Sequence, residues 1–375
     1  MVTVKAGSHV YQLLQLLAVS AEFPASSLHL LGSERSLKDL VHRLESVQDI
    51  RFPPDASVLH TKVLTVSGQR EKRNIRLGKN ALPLLEGLHP GAMEYYLRVS
   101  KNHQLSGGHY HVDRSHRIGE AIAMAMMAGL EYRPYVLPRL QNKVRLPIIP
   151  DTPSFYIARD FKENSYDEMD KTTFTRIVGA IFYPGGCYAV YNTRGALMKW
   201  SGRGEFKMQS LLTDLARRNA GLRDVDSALL LCNNPHIALQ TVLESDNSKS
   251  MRMDSIYKHV YCIPLSADGI KLLQILTLPD WNEKILDAFF EPDQRRSMGS
   301  MEYDGRIDGA FVFSHLDADL ARMIRFREGL SLETETKNRF EVLCYTWQRK
   351  FLKAYLGDRV ELKSYRTEVI QNAIE

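Results

Sequence analysis

Apolar residues in the first fifty positions recur at intervals of three and four, which is the period of an amphipathic α-helix. The first such run begins near Val10 and ends before Pro24. A second, shorter helix is predicted for residues 25–31, where ASSLHLL precedes a glycine. A third helix is predicted from Ser33 to about Val47, because serine is a favoured N-cap residue.

A β-rich stretch follows these helices. Two runs of strand-forming residues, 58–66 and 73–77, flank the polar tip SGQREK, and KNALPLLE is predicted to form a short closing helix. The preceding FPPD has the composition of a turn. Three helices followed by a two-stranded hairpin is the order of elements in a winged helix-turn-helix domain. We therefore predict such a domain for residues 1–90.

The remainder of the chain predicts a larger α/β region. Residues 91–112 lack clear periodicity and contain SGG, so we expect a linker there. Residues 115–130 form a predicted helix that is apolar on nearly every side and hence buried in the domain that follows. From 113 to 278 strands alternate with helices, which predicts an α/β domain. Segment 279–375 fits either a third α/β domain or a C-terminal extension of the second sheet. The predicted fold class is α/β (α+β overall).

Composition and charge narrow the possible classes of protein. Hydrophobic residues at 44% and charged residues at 25% are typical of an ordered globular chain. The net charge is only +5, so nucleic-acid binding must rest on local clustering of basic residues. No apolar run reaches the roughly 18 residues of a membrane span, and Gln12 and Gln15 interrupt a stretch that resembles a short signal peptide. We expect a cytoplasmic protein without a membrane partner.

The four cysteines lie far apart in apolar runs, and no CxxC pair occurs. Neither a zinc ribbon nor a redox motif is therefore supported. We expect buried free thiols, with no structural metal and no cofactor.

The strongest local charge signal lies in the predicted hairpin. Between Lys62 and Lys79 six basic residues accompany a single acid, Glu71. Such a hairpin suits the DNA backbone, because each neutralised phosphate releases counterions. The third helix would add groove contacts. The predicted contacts with double-stranded DNA are Arg35, Lys38 and His42 on the helix and Lys62, Arg70, Lys72, Arg73, Arg76 and Lys79 on the hairpin. The alternative is a solvated, charged face of a protein-interaction module.

Three segments of the amino-terminal region carry a family resemblance. The succession of LLQLLAV, LKDLVHRLESV and RNIRLGKNALPLLE resembles the replication-relaxation family of plasmids and integrative elements. In that family a winged helix precedes a domain related to restriction endonucleases, so the resemblance implies the same order here. It covers about residues 10–265, with His116 opening the buried helix and strands within 176–192 in the place of the family's central hairpin. The segment after 279 has no counterpart.

The implied second domain raises the question of nuclease activity. A PD-(D/E)XK nuclease needs an acid on its first helix, an Asp on one strand and an acid-x-Lys on the next, because carboxylates hold Mg²⁺. Glu120 could fill the helix position, although it could equally pair with Arg117 or His116. No Asp or Glu occurs from Lys171 through Gly204, so the central hairpin lacks acids.

Three further patterns were weighed as sites. Glu205 and Lys207 have acid-x-Lys spacing, but the segment is predicted as a helix, which turns the two about 200° apart. His109 and His111 would share one face of a strand and could ligate a metal, as in relaxases. DGRIDG at 304–309 lacks the acids of a Ca²⁺ loop and is predicted to be a solvated acidic loop.

A basic cluster on the late helix of the C-terminal segment is formed by Arg322, Arg325 and Arg327. It fits either a second basic surface or the exterior of a helix, and we favour the helix exterior.

The sequence therefore predicts a DNA-binding accessory or regulatory protein of a mobile element, with a catalytically silent nuclease-like domain for dimerisation or partner docking. The alternatives are an active nuclease or relaxase that uses Glu120 or the two histidines, and a pure interaction module. No catalytic residue is predicted under the first hypothesis.

Overall fold

The protein is a mixed α/β chain with several sheets, which confirms the predicted class at this level. The computed structural model describes residues 1–52, 57–69, 72–100, 109–132, 152–159, 175–198, 202–220, 222, 224–244, 251–295, 301–333 and 338–374. The chain divides into two compact units, Met1–Leu137 with Phe155–Phe161 and Pro138–Ser154 with Lys162–Glu375. Among the described residues, no helix is both long and apolar enough to cross a bilayer.

The first unit mixes helices with short strands. Its α-helices are α1 (His9–Ser20), α2 (Glu34–Glu45), α3 (Leu82–Leu88), α4 (Pro90–Val99) and α5 (His109–Met127), and 3-10 helices span Ala25–Leu31 and Lys79–Ala81. Its strands are β1 (Val2–Thr3), β2 (Glu22–Pro24), β3 (Gln48–Phe52), β4 (Ser57–Thr61), β5 (Leu64–Ser67), β6 (Asn74–Leu77), β7 (Glu131–Tyr132) and β8 (Ser154–Ile157). The predicted helical period is confirmed, because the apolar stripes of α1 and α2 are buried.

The β-strands of the amino-terminal region belong to two sheets. β2, β6 and β5 form an antiparallel sheet in that order. β1, β3 and β4 form a mixed sheet, in which β1 is parallel to β3 and β4 is antiparallel to it. The predicted single run 58–66 was therefore wrong, since it breaks at Val63 into β4 and β5 of different sheets. Strand β2 was missed, because Pro24 was interpreted only as a helix terminator. Proline at a strand end is compatible with pairing. The predicted turn residues Pro53–Asp55 lie outside the described residues.

Two smaller differences concern the early helices. The segment Ala25–Leu31 is a 3-10 helix rather than an α-helix. Helix α2 ends at Glu45, so Val47 lies beyond it and is 54% exposed instead of completing the buried stripe. Short 3-10 pieces are common where few residues must connect two packed elements.

The predicted linker and domain boundary differ from the structure. Helix α4 occupies most of the first part of 91–112, and α5 begins at His109, while residues 101–108 lie outside the described part. Both helices pack on α1, and α5 also packs on β2 and on the 3-10 helix Ala25–Leu31. The approach is close at Gly119, where a Cβ would lie 3.1 Å from the Phe23 ring. The buried helix thus completes the first unit rather than the second.

The second unit contains two sheets with helices. Its helices are α6 (Arg203–Ala220), α7 (Pro235–Leu243), α8 (Met253–Ile256), α9 (Ala267–Leu276), α10 (Trp281–Phe289), α11 (Leu320–Leu332), α12 (Arg349–Leu356) and α13 (Thr367–Ile374), with a 3-10 turn at Thr346–Gln348. Its strands are β9 (Gly179–Tyr183), β10 (Gly186–Arg194), β11 (Ser227–Cys232), β12 (His259–Pro264), β13 (Gly305–Ile307), β14 (Ala310–Ser314), β15 (Phe340–Tyr345) and β16 (Val360–Tyr365).

The two sheets of this unit share a pattern of one antiparallel hairpin followed by parallel strands. β9 and β10 are antiparallel, and β10, β11 and β12 run parallel. β13 and β14 are antiparallel, and β14, β15 and β16 run parallel. The segment after 279 belongs to the second unit, because α11 packs on β12 and Cys262 N–H donates to the Ala318 carbonyl at 2.9 Å. Strand β16 was missed by the sequence analysis.

The packing of α4 and α5 makes a prediction about truncation. A chain that ends at residue 90 would expose the apolar face of α1 and leave the buried Glu22 without its neighbours on α5. We expect it to lack a cooperative thermal transition by circular dichroism, because that burial is the main stabilising term. A chain that ends at 132 serves as the control. Cooperative unfolding of the shorter chain would contradict this view.

Candidate nucleic-acid interface

The hairpin β5–β6 presents its basic residues at two levels. Lys72 and Arg73 lie at the tip and are exposed, whereas Lys62 and Lys79 flank the base. The tip turn requires Gly68, which has a φ of 83° and would place a Cβ only 2.2 Å from the Lys72 carbonyl oxygen. The turn therefore fixes the course of the chain that carries the two tip cations.

Helix α2 presents a second basic surface. It packs on β5 and on the 3-10 helix through a buried stripe of Leu37, Leu40, Val41 and Leu44. Arg35, Lys38 and His42 are spaced three and four residues apart on the exposed side. Lys38 lies 2.6 Å from Glu34, but a pair this exposed contributes little and leaves the cation available. Of the remaining predicted contacts, Arg70 lies outside the described residues.

Arg76 has a different role from the other predicted contacts. It lies directly opposite Glu22 in the β2–β6 register and forms an ion pair with it. The Glu22 side chain is fully buried, while that of Arg76 is 33% exposed. The sequence analysis missed Glu22 altogether, because a lone acid beside Pro24 carries no periodic signal. Arg76 is thus needed first to compensate a buried charge.

The surroundings of Glu22 are almost entirely buried. Nε2 of His116 on α5 lies 4.0 Å from the Glu22 carboxylate, and both side chains are shielded from solvent. Burial raises the pKa of Glu22 above its ordinary value, and the Arg76 guanidinium opposes that shift. Burial likewise raises the pKa of Tyr96 on α4, again against Arg76. Strands β2 and β6 and helices α4 and α5 therefore meet at one buried cluster around the ion pair of Glu22 and Arg76.

The residues considered for nuclease chemistry are occupied in other ways. Glu120 is buried and accepts a hydrogen bond from Ser27 Oγ at 2.6 Å. The carboxylate of Asp113, rather than Glu120, accepts the bond that Arg117 Nε donates at 2.8 Å. β9 and β10 carry no acid, as their sequences GAIFY and GCYAVYNTR show. Glu120 therefore ties α5 to the 3-10 helix of the first unit.

Glu205 lies on α6, which confirms the helix predicted for its segment. It is buried, and its two oxygens accept the Arg176 N–H at 2.6 Å and the Tyr191 hydroxyl at 2.8 Å. Lys207 is exposed on the other side of the helix. The acid-x-Lys pair therefore does not converge.

The histidine pair is also corrected by the structure. His109 and His111 lie at the start of α5, not on a strand. The prediction rested on a strand, in which alternate residues share a face, and that premise is not met. Among the described residues, no group of three or more His, Cys, Asp or Glu side chains is placed to hold a metal ion.

The C-terminal arginine cluster is corrected at one position. Arg322 is largely buried and is hydrogen-bonded to Glu302, Asp304 and Asp317 at 3.0, 2.6 and 2.7 Å. Asp304 is therefore not a solvated loop acid, and burial raises its pKa despite Arg322. Arg325 is partly exposed and Arg327 is exposed, as predicted for a helix exterior.

A histidine–aspartate pair adjoins that cluster and was not anticipated. His259 Nδ1 lies 2.7 Å from Asp319, which also accepts the N–H groups of Val260 and Ala321. Burial alone would raise the pKa of Asp319, but His259 and these donors lower it. Asp319 thereby caps α11 and attaches it to β12. His315 nearby is buried, and burial lowers its pKa to about 4.

All four cysteines are buried, as predicted. Cys232 and Cys262 lie on neighbouring strands with their Sγ atoms 3.2 Å apart.

The buried ion pair between Glu22 and Arg76 predicts that the free energy of unfolding depends on pH. Arg76→Met removes the cation and leaves Glu22 unpaired, so we expect the free energy of unfolding at pH 7 to fall by about 3 kcal/mol. The folded-state pKa of Glu22 is raised above 4.5, so the protonated form is favoured in the folded state. The loss should therefore shrink as the pH falls towards 4.5 and be full above the folded pKa. Urea titrations between pH 5 and 8 measure this.

Two variants control this experiment. Arg73→Met removes an exposed cation and should change stability by less than about 0.5 kcal/mol. Glu22→Gln combined with Arg76→Met should recover most of the lost stability, because no buried charge remains. An equal loss at pH 5 and pH 8 in Arg76→Met would disprove the assignment of the loss to Glu22.

Comparison of this chain with protein-family models, with curated proteins and with solved structures gives no match.

Proposed function

We propose that the amino-terminal unit is a winged helix-turn-helix domain and that the protein binds double-stranded DNA through it. The observation that carries this proposal is the pairing of an exposed basic hairpin with a helix face that presents Arg35, Lys38 and His42. Helix α2 packs against strand β5 of that hairpin, so the two basic surfaces are held by one packing contact. The antiparallel order β2-β6-β5 and the succession of α1, 3-10 helix and α2 support the same arrangement.

The two surfaces suit different parts of a duplex. Arg35, Lys38 and His42 project from one side of a helix, which is the element that fits the major groove. Lys72 and Arg73 at a turn suit backbone phosphates, which fix register without reading sequence. Arg76 contributes indirectly, because its ion pair with Glu22 fixes β6 against β2.

The second unit is proposed to be a silent, nuclease-like domain that serves partner docking or homodimerisation. Support comes from the acid-free hairpin β9–β10 and from the internal engagement of Glu205. Together with the sequence resemblance, this favours an accessory or regulatory role in replication or transfer of a plasmid or integrative element. The alternative of a metal-dependent nuclease or relaxase has no convergent donor set among the described residues.

The wing assignment is tested on the full chain. We expect Lys72→Gln with Arg73→Gln to weaken binding of a fluorescein-labelled duplex about tenfold or more. The slope of log affinity against log salt should fall by roughly two, because two phosphate contacts are lost. Fluorescence anisotropy at several salt concentrations measures both quantities.

The matched control is Lys207→Gln with Arg218→Gln, which removes the same charge from the exposed side of α6, where Asp214 lies between the two positions. It should bind as the parent chain does. An unchanged affinity and slope in the wing variant would refute the proposed role of the hairpin.

A second prediction concerns catalysis. The full chain should leave supercoiled, linear and branched DNA uncut in Mg²⁺ or Mn²⁺, since a divalent ion in a partly buried site needs carboxylates to balance its charge. Agarose gel analysis over time is the measurement. Cleavage that disappears in Glu205→Ala or Glu120→Ala would make the protein an enzyme. Cleavage that persists in both would point to a contaminant.

A further inference from the structure

A second concentration of positive charge lies far from the hairpin in the sequence. Residues 339–366 contain seven Lys and Arg against three acids, a net of +4 where the whole chain carries +5. The segment spans β15, α12 and β16 of the second unit. The net charge of +5 is therefore the balance of two basic regions, residues 62–79 and 339–366, and more acidic stretches elsewhere in the chain.

Helix α12 carries the exposed part of this charge. Phe351, Leu352 and Leu356 are buried on one side. Arg349, Lys350 and Lys353 are exposed, and the helix contains no acidic residue. The charged residues on the exposed side of α12 are therefore all basic.

Two of these cations lie where they do not help the helix. Arg349 and Lys350 are its first two residues, at the end where the helix dipole favours negative charge. No acid in the first turn compensates them. The stability of α12 therefore does not explain why these two positions are basic. A role in binding outside the helix would explain it.

Other basic side chains of the segment already have partners. Lys353 lies 2.6 Å from Asp358, and Lys363 lies 2.6 Å from Glu341. Arg359 donates to the carbonyl oxygen of Leu330 at 2.8 Å. By contrast, Arg349 and Lys350 form no ion pair with any described acid. Arg349 and Lys350 are thus the cations of α12 that have no ion-pair partner among the described residues.

Neighbouring helices extend the surface. The guanidinium of Arg327 on α11 lies 4.2 Å above the Tyr355 ring, which holds an exposed cation beside α12. The exposed His236 on α7 contacts Phe351 edge-on at 5.1 Å between ring centroids. We call Arg327, Arg349, Lys350, Lys353 and His236 the α12 surface.

We propose that the α12 surface binds the phosphate backbone of duplex DNA as a second contact, which rests on the DNA binding proposed above. Arg349 and Lys350, which form no ion pair with a described acid, match a backbone that carries regular negative charge. The aromatic rings here favour a duplex over a single strand, because Tyr355 is covered by Arg327 and Phe351 is buried, so neither offers a platform for an unpaired base. Two linked contacts raise affinity through effective concentration.

The test uses the full chain with Arg349→Gln and Lys350→Gln together. On a labelled duplex longer than one helical turn, the salt slope should fall by roughly two and affinity by about tenfold. The control Lys207→Gln with Arg218→Gln should leave both unchanged. Both altered residues are exposed, so circular dichroism melting should match the parent and exclude a folding defect.

The outcomes separate this inference from the proposed function. Loss of affinity in the wing variant with none in the α12 variant overturns the second contact and leaves the first. Loss in the α12 variant alone supports the second contact and refutes the wing. Loss that affects only single-stranded DNA, or only vesicles of anionic lipid, overturns the assignment to duplex DNA. No salt-dependent DNA binding by the parent chain rejects both.

Discussion

The amino-terminal unit depends on a carboxylate that has no access to water. Glu22 lies in a short strand between α1 and the 3-10 helix, and its side chain is fully buried. A buried carboxylate is tolerated only when an opposite charge or hydrogen-bond donors compensate it. Arg76 supplies that charge from directly across the β2–β6 pair. The register of β6 against β2 is therefore fixed by this ion pair as well as by the buried apolar residues Ile75 and Leu77 of β6.

This constraint divides the basic residues of the hairpin into two groups. In β6 the buried Ile75 and Leu77 alternate with the half-buried Asn74 and Arg76, so Arg76 shares a face with the interior acid of β2. Lys72 and Arg73 lie beyond the strand and are exposed. A mutation at Arg76 is therefore expected to change stability as well as any binding by the hairpin, whereas a mutation at the tip is expected to leave stability unchanged. Charge reversal at Arg76 could not by itself identify a DNA contact.

The sequence predicted the elements that carry strong local signals. The helical stripes of α1 and α2, the hairpin tip and the helix at Glu205 follow from periodicity and turn composition. Features that depend on tertiary partners were not predictable. The three-residue strand β2 has no period of its own, and the burial of Arg322 depends on acids from two separate stretches of chain. The assignment of α5 to the second domain was wrong, because an apolar helix predicts burial but does not indicate which unit it packs in.

The buried charges of the second unit are also compensated by partners within the protein. This compensation limits which acids could hold a catalytic metal ion. Arg322 is surrounded by Glu302, Asp304 and Asp317, and Asp319 is bound to His259 and to backbone N–H groups. Each of these acids already has a partner within the protein. A metal ion would have to break such contacts before it could recruit the same oxygens, and the arginine would then be left buried without compensation. The acids of this unit that are drawn together in space are therefore bound to structural partners, whereas Arg349 and Lys350 of the α12 surface are exposed.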